Sequence, residues 1–135
     1  MRNRSLLIAF VLSNISFLSV AQKQKFDLKS SVARGQEIYI AQCMSCHMEN
    51  GEGIEDVYPP LAKSDYLMAD KNRSIQNVIH GLSGEIVVNG KPYNTEMTAF
   101  DLSDEQVSDV LNYIRNSWGN KGKAVTTGDV AAARK

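Results

Sequence analysis

Apolar residues in this chain of 135 residues form one solid block near the amino terminus, then several helical stripes separated by aperiodic polar stretches. Val32, Gly35, Tyr39 and Cys43 fall at helical spacing with Ile38 and Ala41 beside them, which predicts a helix from about Ser31 into the cysteine pair. Gly35 inside that stripe costs stability against alanine, so it marks a close approach by another helix. Glu49 to Pro60, with two glycines and two prolines, reads as loop. Ser64 starts a short helix over Asp65 to Ala69, and Ser74 caps another through Ile75, Val78 and Ile79 that stops at Gly81. Ile86 to Tyr93 reads as a hairpin around Asn89-Gly90, its second strand limited to an edge by Pro92. Ser103 with Gln106 forms a capping box, and Leu102 with Val107 the matching staple. Val107, Val110, Leu111, Ile114 and Trp118 then predict a helix that Gly119 ends.

The two ends read differently. Arg2 and Arg4 precede the apolar block Leu6 to Val20, and Ser19 and Ala21 supply small residues at a cleavage site, so residues 1–21 are expected to be a secretory signal peptide. A membrane anchor fits less well, because Ser13, Asn14 and Ser16 interrupt a block already short of the roughly 20 residues that a bilayer demands. Residues 22–30 are a polar leader, residues 31–120 the folded domain, and residues 121–135, rich in Gly, Ala, Thr and Lys, are expected to be a flexible tail. Removing 21 of 135 residues leaves 114, a single domain with a modest core. The whole chain balances 15 Lys and Arg against 15 Asp and Glu, and losing Arg2 and Arg4 leaves a net charge of −2. No basic stripe recommends nucleic acid as a partner.

Cys43-Met44-Ser45-Cys46-His47 changes this picture most, because C-x-x-C-H is the attachment motif of c-type haem. Two thiols at this spacing reach two vinyl groups on one porphyrin edge, and the next residue carries an imidazole to the iron. A dithiol or a disulfide would explain the cysteines but not His47. A closed zinc site lacks ligands, since His80 is the only other histidine. The cofactor expected is therefore one covalent haem c, and it would complete the core. A haem used purely for electron transfer is best kept six-coordinate, and the candidates for the second axial position are Met44, Met48, Met68, Met97 and His80. Met97, in the aperiodic segment Asn94 to Phe100, is favoured over His80 as the sulfur ligand. The metal ligands expected are thus His47 and Met97. A proximal histidine also needs an acceptor for its other N–H, which a carbonyl of the stiff Pro59-Pro60-Leu61 loop can supply while Leu61 lies against the porphyrin.

The chain resembles the monohaem class I cytochromes c over nearly all of residues 22–135. The resemblance rests on Arg34-Gly35-Gln36-Glu37-Ile38-Tyr39 leading to Cys43 through His47, on Tyr58-Pro59-Pro60-Leu61, on Met97-Thr98-Ala99-Phe100, and on Leu102-Ser103-Asp104-Glu105 through Tyr113 to Asn120. It implies an all-α fold of three to five helices around one covalent haem, with the hairpin before the distal loop. It implies that the first and last helices cross near Gly35 and Tyr113, that Pro59 gives its carbonyl to His47, and that Met97 is the axial ligand. Thr98 stands where the family commonly has proline, which implies a less rigid ligand loop. The last block and the hairpin look like the cytochrome c domains that serve copper nitrite reductases, dehydrogenases and terminal oxidases. The function expected is that of a non-catalytic one-electron carrier in the periplasm, a monomer docking transiently on a reductase, dehydrogenase or oxidase and meeting a membrane only through such a complex. The alternative is a haem enzyme or gas-binding protein with a displaceable distal ligand.

Overall fold

The computed structural model describes residues 25–135, so the predicted signal peptide at 1–21 and residues 22–24 of the leader lie outside the described residues. Helix α1 (Leu28–Gln42) starts where the Asp27 side chain accepts from the Lys29 and Ser30 amides, answering donors that every helix start leaves free. The leader is therefore shorter than its polarity suggested, and residues 28–30 are helical. A single turn, α2 (Met44–His47), follows Cys43 and carries the rest of the cysteine motif. Ser64 caps α3 (Asp65–Ala69) as its position implied. Helix α4 (Lys71–His80) begins three residues earlier than expected. Asp70 caps it, and Ser74 sits inside, donating to the carbonyls of Leu67 and Asp70.

Strands β1 (Ile86–Val88) and β2 (Lys91–Tyr93) form the antiparallel hairpin, with Ile86 opposite Tyr93 and Val87 opposite Pro92. Helix α5 (Asp104–Ile114) opens with the capping box read from Ser103 and Gln106. It ends four residues before Trp118. That side chain instead turns back, at φ 52, to lie with its ring centroid 5.1 Å from Tyr39 and 5.3 Å from Tyr113. The aromatic contact outweighs one more helical turn.

The helix count rises to six among the described residues because the C-terminal segment is not a loose tail. Residues 127–133 form α6 (Thr127–Ala133). Val125 and Val130 are fully buried in the core. The Asn112 side chain accepts from the Val125 amide at 2.7 Å and donates to the Val125 carbonyl at 2.8 Å, so one amide group supplies both bonds that a neighbouring strand would. The sequence carried a signal for this. Thr126 and Asp129 make a capping box, with Val125 and Val130 at the staple positions, the same grammar as Leu102 to Val107. Composition obscured it. No helix among the described residues is long and apolar enough to cross a membrane.

The core is built on the crossing of α1 over α5, where Gly35 and Tyr39 are buried against one apolar face of α5. A Cβ at Gly35 would lie 1.9 Å from the Asp109 carbonyl oxygen and 2.9 Å from the Tyr113 Cβ, so backbone meets backbone there. Beside the crossing, the buried Asp109 carboxylate accepts from Ser31 Oγ at 2.6 Å and from the Arg34 Nε and Nη2 at 2.6 and 2.8 Å. A buried charge needs that many partners.

Two measurements check this architecture. Gly35→Ala is expected to cost about 3 kcal/mol in denaturant unfolding, since the added methyl meets backbone that cannot yield. Val130→Ala is expected to cost about 2 kcal/mol, whereas a solvated tail would leave the midpoint unchanged.

Candidate cofactor site

Between α2, α3, α4, α5 and the hairpin lies an apolar cavity of about 80 Å³. Val110, Leu111 and Ile114 of α5 line it on one side, and Ile86 and Val88 of β1 on another. A second groove, of about 280 Å³, shares Cys43, His47, Pro59 and Met97 with it and adds Cys46, Tyr58 and Tyr93. Protein interiors rarely keep voids larger than a water molecule. Two adjoining spaces of this kind, lined mostly by apolar atoms, leave room for a mainly apolar body.

Helix α1 delivers Cys43 to this space, and α2 continues with Cys46 and His47. His47 is buried, and its Nδ1 donates to the Pro59 carbonyl at 3.0 Å. A carbonyl only accepts, so Nδ1 carries the proton and Nε2 keeps its lone pair. Burial holds the ring's pKa below the usual histidine value, against the opposing effect of the Pro59 bond, and so favours this neutral form. An imidazole prepared in this way has its outer hydrogen bond in place and its Nε2 lone pair free to bind a metal. The loop that provides the carbonyl is itself tied down. Gly53 N donates to the His47 carbonyl, and Ile54 and Tyr58 exchange backbone bonds at 2.9 and 2.8 Å, just before Pro59. Leu61 is half-buried in the cavity wall.

Both cysteines are free thiols. Burial, helped by Cys46 nearby, pushes the Cys43 thiol up to about 11. A redox dithiol requires the opposite shift, because the thiolate is the nucleophile. The cysteine chemistry therefore fits attachment and not exchange.

Met97 is the one methionine among the described residues that lines either cavity. Met44 and Met68 pack against the core, and Met48 caps α2. His80 is exposed on the last turn of α4 and lines neither space. The Met97 loop is also firmer than Thr98 implied. Met97 and Leu82 exchange both backbone hydrogen bonds at 2.9 Å, and Phe100 N donates to the Val78 carbonyl at 3.1 Å. Gly81, at φ 76, makes the close approach possible, since a Cβ there would stand 2.5 Å from the Met97 carbonyl oxygen. Backbone pairing thus does the stiffening that a proline would have done.

Several lining residues were not legible as such. Leu82, Ile86, Val88 and Phe100 face the cavity because of tertiary placement, and no motif announces them. Arg115 is buried too, donating to the Leu67 carbonyl at 2.6 Å and holding α3 against the end of α5. A paired apolar cavity, two thiols, a prepared imidazole and a thioether form a donor set that fits a covalently attached haem.

Comparison with known proteins agrees with that donor set. The cytochrome c family model matches residues 32–118. Cytochrome c-552 of Thermus thermophilus is 42% identical, the match covering 67% of this chain and 72% of that protein. The cytochrome c subunit of the quinone alcohol dehydrogenase of Gluconobacter oxydans (strain 621H) is 34% identical over 74% of this chain and 22% of the subunit. The gluconate 2-dehydrogenase cytochrome c subunit of Pantoea cypripedii is 39% identical over 75% of the chain and 24% of the subunit. The chain therefore spans about a quarter of these dehydrogenase subunits. With the family model over most of its length and the attachment residues grouped at one cavity, the chain belongs to the cytochrome c family, whose members transfer electrons through covalently bound haem c.

Proposed function

We propose that this protein is an exported one-electron carrier, acting in the periplasm as a free shuttle or as the electron-transfer subunit of a respiratory enzyme. Haem c supplies an iron that exchanges single electrons between Fe(III) and Fe(II), and the chain's own residues do the rest. Cys43 and Cys46 hold the group by thioether bonds, His47 offers Nε2 to the iron, and Pro59 fixes the ring plane through Nδ1. Leu61 and the α5 face keep water from the porphyrin. Met97 would offer its thioether sulfur to the iron, a donor that favours the reduced metal relative to a second histidine.

The observation that carries this reading is that the space reached by His47 is also lined by Met97, whose backbone is bonded on both sides to Leu82. A ligand held in this way resists displacement, which suits an electron carrier better than a gas-binding site. Export rests on the Leu6 to Ala21 segment, and the dehydrogenase relatives make a dehydrogenase a fitting partner class. Docking is transient and the protein monomeric in this reading, as turnover between partners requires.

Three spectroscopic results test it. Ferric Met97→Ala is expected to lose the absorption band of methionine–iron ligation and to show a lower reduction potential, while His80→Ala keeps both. The opposite pattern would move the ligand to His80. Gly81→Ala is expected to push the Met97 carbonyl away and to let reduced protein bind carbon monoxide at least tenfold faster than wild type, measured by flash photolysis. Wild-type protein that binds carbon monoxide as fast as Met97→Ala would instead favour the gas-binding alternative.

A further inference from the structure

The groove beside the cofactor cavity draws most of its lining from two stretches of chain, residues 49–60 and 82–98. Its lining includes Tyr58, Pro59, Tyr93 and Phe100, which the cofactor would cover. On the same two stretches Ile54, Val57 and Val87 stand 38%, 41% and 54% exposed. The Glu55–Lys91 ion pair joins the two stretches, so they meet at one surface. That surface is held in shape without any partner. The Ile54–Tyr58 bridge fixes one side, and Asn89 fixes the other by accepting from the Asp65 amide at 3.1 Å and donating its own amide to Asp65 Oδ1 at 2.7 Å.

Charge decides what such a surface can accept. Residues 49–60 and 82–98 carry Glu49, Glu52, Glu55, Asp56, Glu85 and Glu96, against a single cation, Lys91, which is paired with Glu55. Asp56, Glu85 and Glu96 are exposed, form no ion pair among the described residues, and stand within two residues of the groove-lining Tyr58, Ile86 and Met97. An apolar mouth inside an acidic rim attracts a complementary cationic face and repels an anionic one, and the attraction speeds encounter without making the complex tight. We infer that the rim of this groove is the docking surface for a redox protein that presents a lysine- or arginine-rich patch around its own electron port. The inference rests on the carrier function proposed above and adds the chemistry of the partner. The competing occupant is a second copy of the chain, whose C-terminal segment exposes Lys121, Lys123 and Lys135.

The test uses the haem-loaded protein and two small redox probes of opposite charge. Hexaammineruthenium(II) gives one electron to the ferric protein and becomes ruthenium(III), and ferricyanide takes one electron from the ferrous protein and becomes ferrocyanide. Stopped-flow rates are expected to fall with added salt for the cationic probe and to rise for the anionic one. In Asp56→Asn/Glu85→Gln the ratio of cationic to anionic rates is expected to drop about threefold or more at low salt, with the haem spectrum and reduction potential unchanged. Lys121→Gln/Lys123→Gln should leave that ratio as it was. A lysine-rich peptide is expected to slow the cationic probe on wild-type protein and to lose that effect in the acidic-rim variant. Rates that ignore probe charge, or a peptide without effect, overturn the docking surface while leaving the carrier function intact. Self-association at low salt, seen by sedimentation, would give the groove to a second copy and overturn the proposal as well. Failure to exchange an electron with either probe would instead strike at the carrier function itself.

Discussion

The contact between Gly35 and the Asp109 carbonyl sets the position of everything that matters for function. Helix α1 ends at the cysteine motif, and α5 presents Val110, Leu111 and Ile114 to the cavity, so the depth at which the two helices cross decides how the thiols and His47 stand against the apolar wall. A side chain at Gly35 would lift α1 from α5 and move the motif with it. The same crossing is locked by polar contacts, since the buried Asp109 carboxylate accepts from both Ser31 and Arg34 of α1. Tyr39, one turn further on, donates to the Met48 carbonyl at 2.6 Å and packs with Tyr113 and Trp118, which carries the order of the crossing into the loop beyond His47.

From that fixed crossing, two loops approach the cavity and are stabilised by the same device. Ile54 pairs with Tyr58 ahead of the Pro59 carbonyl, and Leu82 pairs with Met97 itself. Each is an isolated pair of backbone bonds, a minimal piece of antiparallel ladder, and each holds a chemically chosen atom at the end of an otherwise irregular segment. Irregular backbone is where functional groups gather, and it serves only when something rigid holds it. Here the rigid partners are the α4 terminus and the loop after α2. The hairpin closes another wall, bonded to α3 through Asp65 and Asn89 and to the proximal loop through Lys91 and Glu55. A domain with so little core around so large a cavity depends on its cofactor to complete the packing.

The residues that carry chemistry were readable from the chain because each acts through its neighbours in sequence. Cysteine spacing and the following histidine are local facts, as are the capping box at Ser103 and the Asn89-Gly90 turn, and their elements formed where the pattern put them. The misreadings have local causes too. Asp70, not Ser74, caps α4, because a better-placed acceptor preceded it. The C-terminal segment was judged by composition, and its Thr126–Asp129 box with the Val125–Val130 staple was overlooked. Trp118 was counted as one more helical position, although an aromatic side chain gains more by packing on Tyr39 and Tyr113 than by extending α5.

By itself, then, the sequence determined which atoms are on offer: two thiols, an imidazole, several thioethers, a stiff proline loop and an apolar helix face. The sequence already favoured Met97 over His80 and set Pro59 against His47, and the tertiary structure decided how these groups are brought to one space. Met97 rather than His80 lines the cavity, and the loop around it is firm despite Thr98, because the Leu82 and Met97 backbones bond to each other. The physical reason is that side-chain chemistry is written in residue identity, whereas backbone amides and carbonyls are the same at nearly every position. Pairings between them across distant segments leave no trace in the sequence and exist only once the chain is folded.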